Sequence, residues 1–216
     1  MKGYTKPFLL IFIVLLADQL LKFWIKLHMA LGQEFHLAGN WAIIHFTENN
    51  GMAFGMEFGG EAGKLFLSLF RIIAVIGIGY GLVHLIQRKY HRGLILNVAL
   101  IFAGALGNII DSTFYGLIFT ESDYYQPASL VPWGKGYADL FHGKVVDMFY
   151  FPILEGVFPQ WFPIWGGEDF IFFRPIFNTA DAAISVAVIL ILVFQKNYFK
   201  EEKLEENSPH SEMVED

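Results

Sequence analysis

Three aspartates lie in sequence surroundings that are otherwise apolar, where an ionisable group is costly. Asp147 stands between Val146 and Met148, while Asp111 and Asp181 fall near one end of two long apolar stretches. Two carboxyl groups held together at a membrane boundary cannot both ionise easily, because charge repulsion and desolvation raise one pKa. One protonated acid and one carboxylate base around a water molecule is the arrangement of the aspartic proteases. The pattern therefore favours hydrolysis by a dyad that titrates as a pair.

The same residues also have structural interpretations. Asn108 and Asp111 are spaced i, i+3 on one helical face, which suits hydrogen bonds to a neighbouring helix. Asn178 and Asp181 repeat this spacing, and the helix dipole would favour a carboxylate such as Asp181 at a helix start. We expect the helix to begin before Asn178, however, so a simple cap is not our prediction for Asp181.

Two further charged positions lie within apolar stretches. Asp18 and Lys22 are spaced i, i+4, so they can neutralise each other as a structural ion pair. Arg71 either extends its charge to the membrane surface or holds an anionic group.

Several chemistries are excluded by composition. The chain contains no cysteine, which rules out disulfides, thiolate nucleophiles and cysteine-based metal sites. Its seven histidines show no H-E-x-x-H or similar ligand spacing, so we do not expect a metal hydrolase. There is no basic stripe that would bind nucleic acid.

The elements that must position these residues are predicted to be membrane helices. Hydrophobic residues make up 55% of the 216-residue chain and charged residues 17%, against about 45–50% and about 25% in soluble domains. A bilayer-spanning helix needs about 20 largely apolar residues. Four stretches qualify: 7–25, 65–86, 94–113 and 176–194. We expect one membrane domain over 1–196, followed by an acidic, disordered cytoplasmic tail over 197–216.

Charge asymmetry predicts the orientation of the helices. The segment 29–63 has no lysine or arginine, whereas the short turn over 87–93 carries Arg88, Lys89 and Arg92. We therefore expect both termini and the basic turn to be cytoplasmic, with segments 29–63 and 114–175 on the outer face. The three apolar-flanked aspartates would then lie near the outer membrane boundary.

The two outer segments carry signs of β-structure. Residues 144–151 and 41–46 are rich in β-branched and aromatic side chains, which is typical of strands, and a turn is expected at 49–51. Tryptophans suited to the membrane interface occur at 133, 161 and 165. The predicted fold class is an all-α membrane protein of four transmembrane helices, with a small β element and lid-like segments on the outer face.

Five short motifs resemble those of the bacterial lipoprotein signal peptidases (signal peptidase II), in order and across nearly the whole chain. The motifs D-Q-x-x-K, N-x-G-x-A-F, G-x-x-G-N-x-x-D and F-N-x-A-D are matched by residues 18–22, 49–54, 104–111 and 177–181. Residues 145–148 resemble the family's V-V-D-F element, with Met148 in place of the phenylalanine.

The resemblance implies an aspartic endopeptidase of the bacterial cytoplasmic membrane whose active site faces outward. Such enzymes cut diacylglyceryl-modified prolipoproteins just before the lipidated cysteine, without a metal or organic cofactor. Asp147 and Asp181 would be the catalytic pair. The supporting residues would be Asp18, Lys22, Asn49, Gly51, Asn108, Asp111 and Asn178. We expect the partners to be lipid-modified precursors and membrane lipids, and the enzyme to be a monomer.

Two features depart from the family pattern. The family usually has arginine directly after the aspartate of G-N-x-x-D, and here that residue is Ser112. Arg174 is our candidate for supplying the missing cation. The segments 113–143 and 149–173 are also long, and we interpret both as an enlarged outer lid or lipid-facing element.

The main alternative is a small proton-coupled transporter or channel, in which Asp18, Asp111 and Asp181 would relay protons across the membrane. Polar residues running from one face to the other would favour it. They cluster instead toward the outer half of the helices, which favours the hydrolase.

Overall fold

Four runs of leucine, isoleucine, valine and phenylalanine form the long helices, because a backbone in lipid must satisfy its hydrogen bonds internally. A computed structural model describes residues 3–49, 60–172 and 175–199. Its helices are α1 (Thr5–His28), α2 (Gly60–Gln87), α3 (Arg92–Ile110) and α4 (Thr179–Tyr198). Each contains a stretch long and apolar enough to cross a membrane, with mean hydropathies between 1.7 and 2.2. The four predicted spans are confirmed as candidate membrane helices.

The fourth helix begins later than predicted. Residues expected to be helical from 176 onward instead start with a short strand, Ile176–Phe177, and α4 begins at Thr179 after the N-cap residue Asn178. Hydropathy does not distinguish an apolar strand from the apolar helix that follows it, so the predicted boundary was wrong by three residues.

The third span also ends differently from its prediction. After Ile110 the chain makes a wider π-helical turn over Asp111–Tyr115 and one more helical turn over Gly116–Ile118. The apolar helix therefore extends to Ile118 rather than to 113. Single π turns inside helices are frequent at functional sites, and this one begins at one of the three aspartates.

The centre of the bundle is α3, which packs against α1, α2 and α4. Two glycines permit its close approach to α4 and to α1. A Cβ on Gly104 would clash with the carbonyl oxygen of Ala180 in α4, and one on Gly107 would lie 2.8 Å from Asp18 Oδ2 in α1. Small residues at helix crossings serve this purpose in membrane proteins.

A four-stranded antiparallel sheet lies at one end of the bundle. Its order is β1 (Glu34–Ala38), β2 (Ala42–Asn49), β3 (Val145–Tyr150) and then β6 (Ile176–Phe177). The predicted small β element is thus confirmed, although Asn49 closes β2 instead of starting a turn. Residues 50 and 51 lie outside the described part of the chain. The inner face of the sheet packs on the ends of α1 and α3 through Phe46, Val146 and Met148, among others.

The long segment between α3 and α4 has a defined position. A second hairpin pairs β4 (Leu154–Val157) with β5 (Asp169–Phe172). Residues 113–144 fold back on the end of α3, with hydrogen bonds from Gly143 N to Ser112 O at 2.8 Å and from Ala138 N to Gly116 O at 3.0 Å. This segment therefore forms part of the packed structure around α3.

The glycine contacts predict the effect of adding a single methyl group. Gly104→Ala should destabilise the protein by about 1–3 kcal/mol, because the new Cβ meets backbone of α4 that cannot move aside locally. Thermal unfolding of the purified protein in detergent measures this. Gly81→Ala is the matched control in α2, where a Cβ meets nothing within 4 Å, and it should be neutral or stabilising by up to about 1 kcal/mol. Equal unfolding temperatures for the two variants would contradict the close α3–α4 contact.

Candidate active site

A fully buried lysine lies at the base of the site. Lys22 Nζ contacts Asp18 Oδ2 at 2.9 Å, Asp111 Oδ2 at 2.8 Å and Asn108 Oδ1 at 2.9 Å. An ammonium group has three protons and no acceptor, so these contacts use its full hydrogen-bonding capacity. The predicted Asp18–Lys22 pair is present as part of a larger cluster that joins α1 to α3.

The two carboxylates that neutralise Lys22 bind further groups. Asp18 Oδ1 accepts a hydrogen bond from the backbone N–H of Ala180 at 3.0 Å, which ties α1 to the first turn of α4. Gln19 Nε2 donates to Asp111 Oδ1 at 3.0 Å, and the hydroxyl of Tyr115 donates to Gln19 Oε1 at 3.1 Å. The cluster thereby connects three of the four long helices.

Asn108 links this cluster to the first of the predicted catalytic residues. Its Oδ1 accepts from Lys22, so its Nδ2 must point the other way, where it donates to Asp181 Oδ1 at 2.8 Å. The same Oδ1 also accepts from Asn178 Nδ2 at 3.1 Å. Because lysine can only donate, the orientation of the Asn108 amide is fixed by Lys22.

Asn178 brings the two predicted catalytic residues together. Its Nδ2 donates to Asp147 Oδ1 at 2.7 Å, and its Oδ1 accepts from the backbone N–H of Asp181 at 2.9 Å. Asp181 Oδ2 accepts from the backbone N–H of Asn178 at 3.3 Å. One asparagine therefore contacts both aspartates, one through its amide nitrogen and the other through a helix-capping box.

Asp181 does take part in a cap, contrary to our expectation. The capping box places it at the third position of α4, where its carboxylate and the Asn178 side chain satisfy each other's backbone N–H groups. The expectation failed because it assumed that the helix starts at 176. The other oxygen of Asp181, Oδ1, accepts a hydrogen bond from Asn108. The carboxylate therefore caps α4 and is at the same time oriented by α3.

Asp147 is the more buried of the two carboxyl groups. It lies on β3 opposite Thr47 of β2 and accepts from Asn178 on one oxygen and from Asn49 Nδ2 on the other. Burial raises the pKa of Asp147 to about 7, helped by the negative charge of Asp181 and opposed by Asn178, Lys22 and Asn49. Asp147 can thus hold a proton near neutral pH beside the half-buried Asp181.

Most of the predicted site residues come together in this network. Two of them, Gly51 and Arg174, lie outside the described residues. The eight that form it are Asp18, Lys22, Asn49, Asn108, Asp111, Asp147, Asn178 and Asp181. Over residues 3–49, 60–172 and 175–199, no group of three histidine, aspartate or glutamate side chains could hold a metal ion.

Sequence reasoning gave no role in the site to Gln19, and for Arg71 it left open either the membrane surface or an unnamed anionic group. Gln19 bridges the two carboxylates of the lysine cluster, and its place in D-Q-x-x-K was the available signal. Arg71 of α2 interacts electrostatically with both Asp181 and Asp147. An arginine within a membrane span was a signal in itself, but its partners lie on other elements and could not be named.

Comparison with known proteins places the chain among peptidases. A family model described as signal peptidase (SPase) II matches residues 10–196. A protein from Porphyromonas gingivalis named lipoprotein signal peptidase is 54% identical over 185 residues, covering 85% of this chain and 80% of the relative. One of the same name from Amoebophilus asiaticus is 36% identical, covering 84% and 73%. A solved bacterial membrane enzyme matches with a TM-score of 0.58 and 25% identity over 92% of this chain and 93% of its own.

The lysine cluster predicts a large loss of stability when its cation is removed. Lys22→Met leaves Asp18 and Asp111 buried without a counter-charge, which typically costs about 3–5 kcal/mol. Thermal unfolding in detergent measures the loss. Lys144→Met is the matched control, since its ion pair with the exposed Glu121 contributes at most about 1 kcal/mol. Similar unfolding temperatures for both variants would show that Lys22 does not hold the helices together.

Proposed function

The chain belongs to the signal peptidase II family, and we propose that Asp147 and Asp181 are the carboxyl pair with which it hydrolyses its substrates. Its activity is that of an aspartic-type peptidase that removes signal peptides from prolipoproteins. The observation that carries the assignment is that Asn178 contacts both aspartates. Its amide nitrogen donates to Asp147, and its amide oxygen accepts from the backbone N–H of Asp181 at the start of α4.

The proposed reaction follows from a pair that shares one proton. The ionised carboxylate takes a proton from a water molecule as that water attacks the scissile carbonyl carbon. The protonated carboxyl gives its proton to the carbonyl oxygen, which forms a tetrahedral diol. Collapse of the diol breaks the C–N bond as the amine nitrogen takes up a proton, and the pair is again singly protonated. The raised pKa of Asp147 makes it the better candidate for holding the proton.

The proposed substrate is a precursor whose cysteine carries a diacylglyceryl group, cut just before that cysteine. The substrate's lipid chains would rest against the helices, whose outward side chains are apolar, as at Phe12 and Ile73. The peptide would cross the end of the bundle beside β3. These are the expected partners, together with membrane lipids, and we propose that the enzyme acts as a monomer.

We place the protein in the bacterial inner membrane with the sheet and the site on the outer face. The basic turn Arg88–Lys89 and Arg92 joins α2 to α3 at the cytoplasmic side in this arrangement, as the positive-inside rule requires. Both termini are then cytoplasmic. The membrane domain spans 1–196, and 197–216 form the acidic tail.

Arg71 is a second candidate, beside Arg174, for the cation that the family usually carries after the G-N-x-x-D aspartate. Ser112, which stands at that position, is buried and donates to the carbonyl oxygen of Asn108 at 3.0 Å, so it belongs to the helix backbone network. Arg71 interacts with both catalytic carboxyl groups from α2. A fixed cation beside the dyad would stabilise the negative charge that develops on the substrate carbonyl.

The catalytic assignment predicts the loss of cleavage in two variants. Asp147→Asn and Asp181→Asn should each abolish cleavage of a diacylglyceryl-modified precursor, because neither amide can exchange the shared proton. The readout is the conversion of precursor to mature lipoprotein by purified enzyme in detergent, with the unfolding temperature measured in parallel. Asp139→Asn, at an exposed carboxylate of the outer segment, is the matched control and should keep full activity.

Retained activity in either variant of the pair would remove that residue from the mechanism.

The wild-type rate should also fall as the pH rises past about 7, where Asp147 loses its proton. A rate independent of pH between 6 and about 9 would contradict the shared-proton scheme.

Paired arginine variants decide which cation acts in the site. Arg71→Gln should lower kcat about 100-fold if it stabilises the transition state, since this is the usual effect of losing one fixed charge or donor there. Arg174→Gln should then have a small effect, and the reverse ranking would assign the role to Arg174. Arg88→Gln, in the basic turn at the other end of the bundle, serves as the control for charge removal.

A further inference from the structure

An aromatic hairpin with an uncharged tip projects from the chain between the two catalytic aspartates. We define the aromatic hairpin as residues 154–172, comprising β4, β5 and the connection between them. It leaves the sheet after β3, which carries Asp147, and returns shortly before β6, which leads into Asn178 and Asp181. From Gly156 to Gly167 it contains no ionisable side chain.

The tip of this hairpin is built as a fixed structure. Phe158 stacks on Phe162 with ring centroids 4.9 Å apart, and Trp165 lies 6.2 Å from each of them. The backbone closes through hydrogen bonds from Phe158 N to Glu168 O and from Gly167 N to Phe158 O, both at 2.9 Å. The stacked rings therefore form a base from which other side chains project.

Two large apolar side chains project from that base into open space. Trp161 is 79% exposed and Ile164 is 87% exposed. Ile164 also has a φ of +78°, which is a strained conformation for a β-branched residue. Exposing the Ile164 side chain to water is unfavourable, and the strained backbone adds a second unfavourable contribution. Such strain persists only where the surrounding structure enforces it, and it clusters at functional sites.

We infer that the tip of the aromatic hairpin inserts into the lipid leaflet adjoining the catalytic sheet and anchors that sheet to the membrane surface. In sequence the hairpin's strands lie between the paired strands β3 and β6, and Thr179, two residues after β6, is the first residue of the membrane helix α4. The hairpin thus leaves the sheet at the level where the chain enters the bilayer. Tryptophans are enriched at that level because their rings are amphipathic.

The absence of charge identifies lipid as the partner. A leaflet interface accepts an uncharged tip bearing tryptophan and isoleucine, whereas burying the neighbouring Glu168 and Asp169 there would be costly. These two residues stand where the tip joins the strands, since Asp169 pairs with Val157, and both are exposed. Insertion of the tip would fix the height of Asp147 and Asp181 relative to the lipid, where the scissile bond of a lipid-anchored substrate lies.

The experiment uses the lack of cysteine in the chain. Ile164→Cys and, as the matched control on the same hairpin, Glu168→Cys are labelled with an environment-sensitive fluorophore in the full-length protein. Each is reconstituted into vesicles of phosphatidylethanolamine and phosphatidylglycerol that contain lipids with a quencher on the acyl chain. We expect the Ile164 probe to lose most of its emission to the lipid quencher and to be protected from iodide, with the Glu168 probe showing the opposite. Trp161→Cys provides a second tip position and should behave like Ile164→Cys.

Three results would overturn the inference. Iodide accessibility of both tip probes in vesicles would show that the hairpin stays in water. Lipid quenching that appears only after a lipidated precursor is added would assign the tip to the substrate's acyl chains. Protection from iodide that depends on the protein-to-lipid ratio would assign it to a second copy of the chain. Each result is read without catalysis, so it is independent of whether Asp147 and Asp181 are the catalytic pair.

Discussion

A single buried cation determines much of the structure around the site. Taking Lys22 out of water costs several kcal/mol, which its contacts offset only when Asp18, Asp111 and Asn108 are all in place. The requirement explains features that the bundle alone would not need. The π turn begins at Asp111, and Gly107 leaves room for the Asp18 carboxylate between the helices. Asn108 then faces Asp181 because its oxygen is already bound to the lysine.

The proposed chemistry depends on an asymmetry that this network creates between Asp147 and Asp181. Asp147 is buried on a strand and bound by two asparagines, while Asp181 stands at a helix start and is partly exposed. Desolvation raises the pKa of the deeper carboxyl, Asp147, which makes it the better site for a shared proton. A dyad of identical residue type can in this way divide the roles of acid and base by position alone. The positive charges of Lys22 and Arg71 offset part of the negative charge of the aspartates.

The sequence predicted what depends on local pattern and missed what depends on tertiary contact. The four spans, the strand around Asp147 and the eight networked residues were predictable from apolar length, alternation and the five motifs. The late start of α4 was not, because an apolar strand and an apolar helix have the same hydropathy. The cap at Asp181 was misjudged for that reason. Arg71 could be noticed as an unusual charge, but its two partners come from β3 and α4, and only the fold brings these together.

A second buried lysine, on the same face of α1, connects that helix to β2 and to the segment that follows α3. Lys26 lies one turn after Lys22, binds Glu48 and the Ser122 hydroxyl, and lies 5.1 Å from the ring centroid of Phe119. Glu48 directly precedes Asn49, the residue that donates to Asp147. Lys22 therefore fixes the helices that present Asp181, whereas Lys26 fixes the strand that supports Asp147. Because both lysines lie on α1, that helix fixes the positions of Asp147 and Asp181 relative to each other.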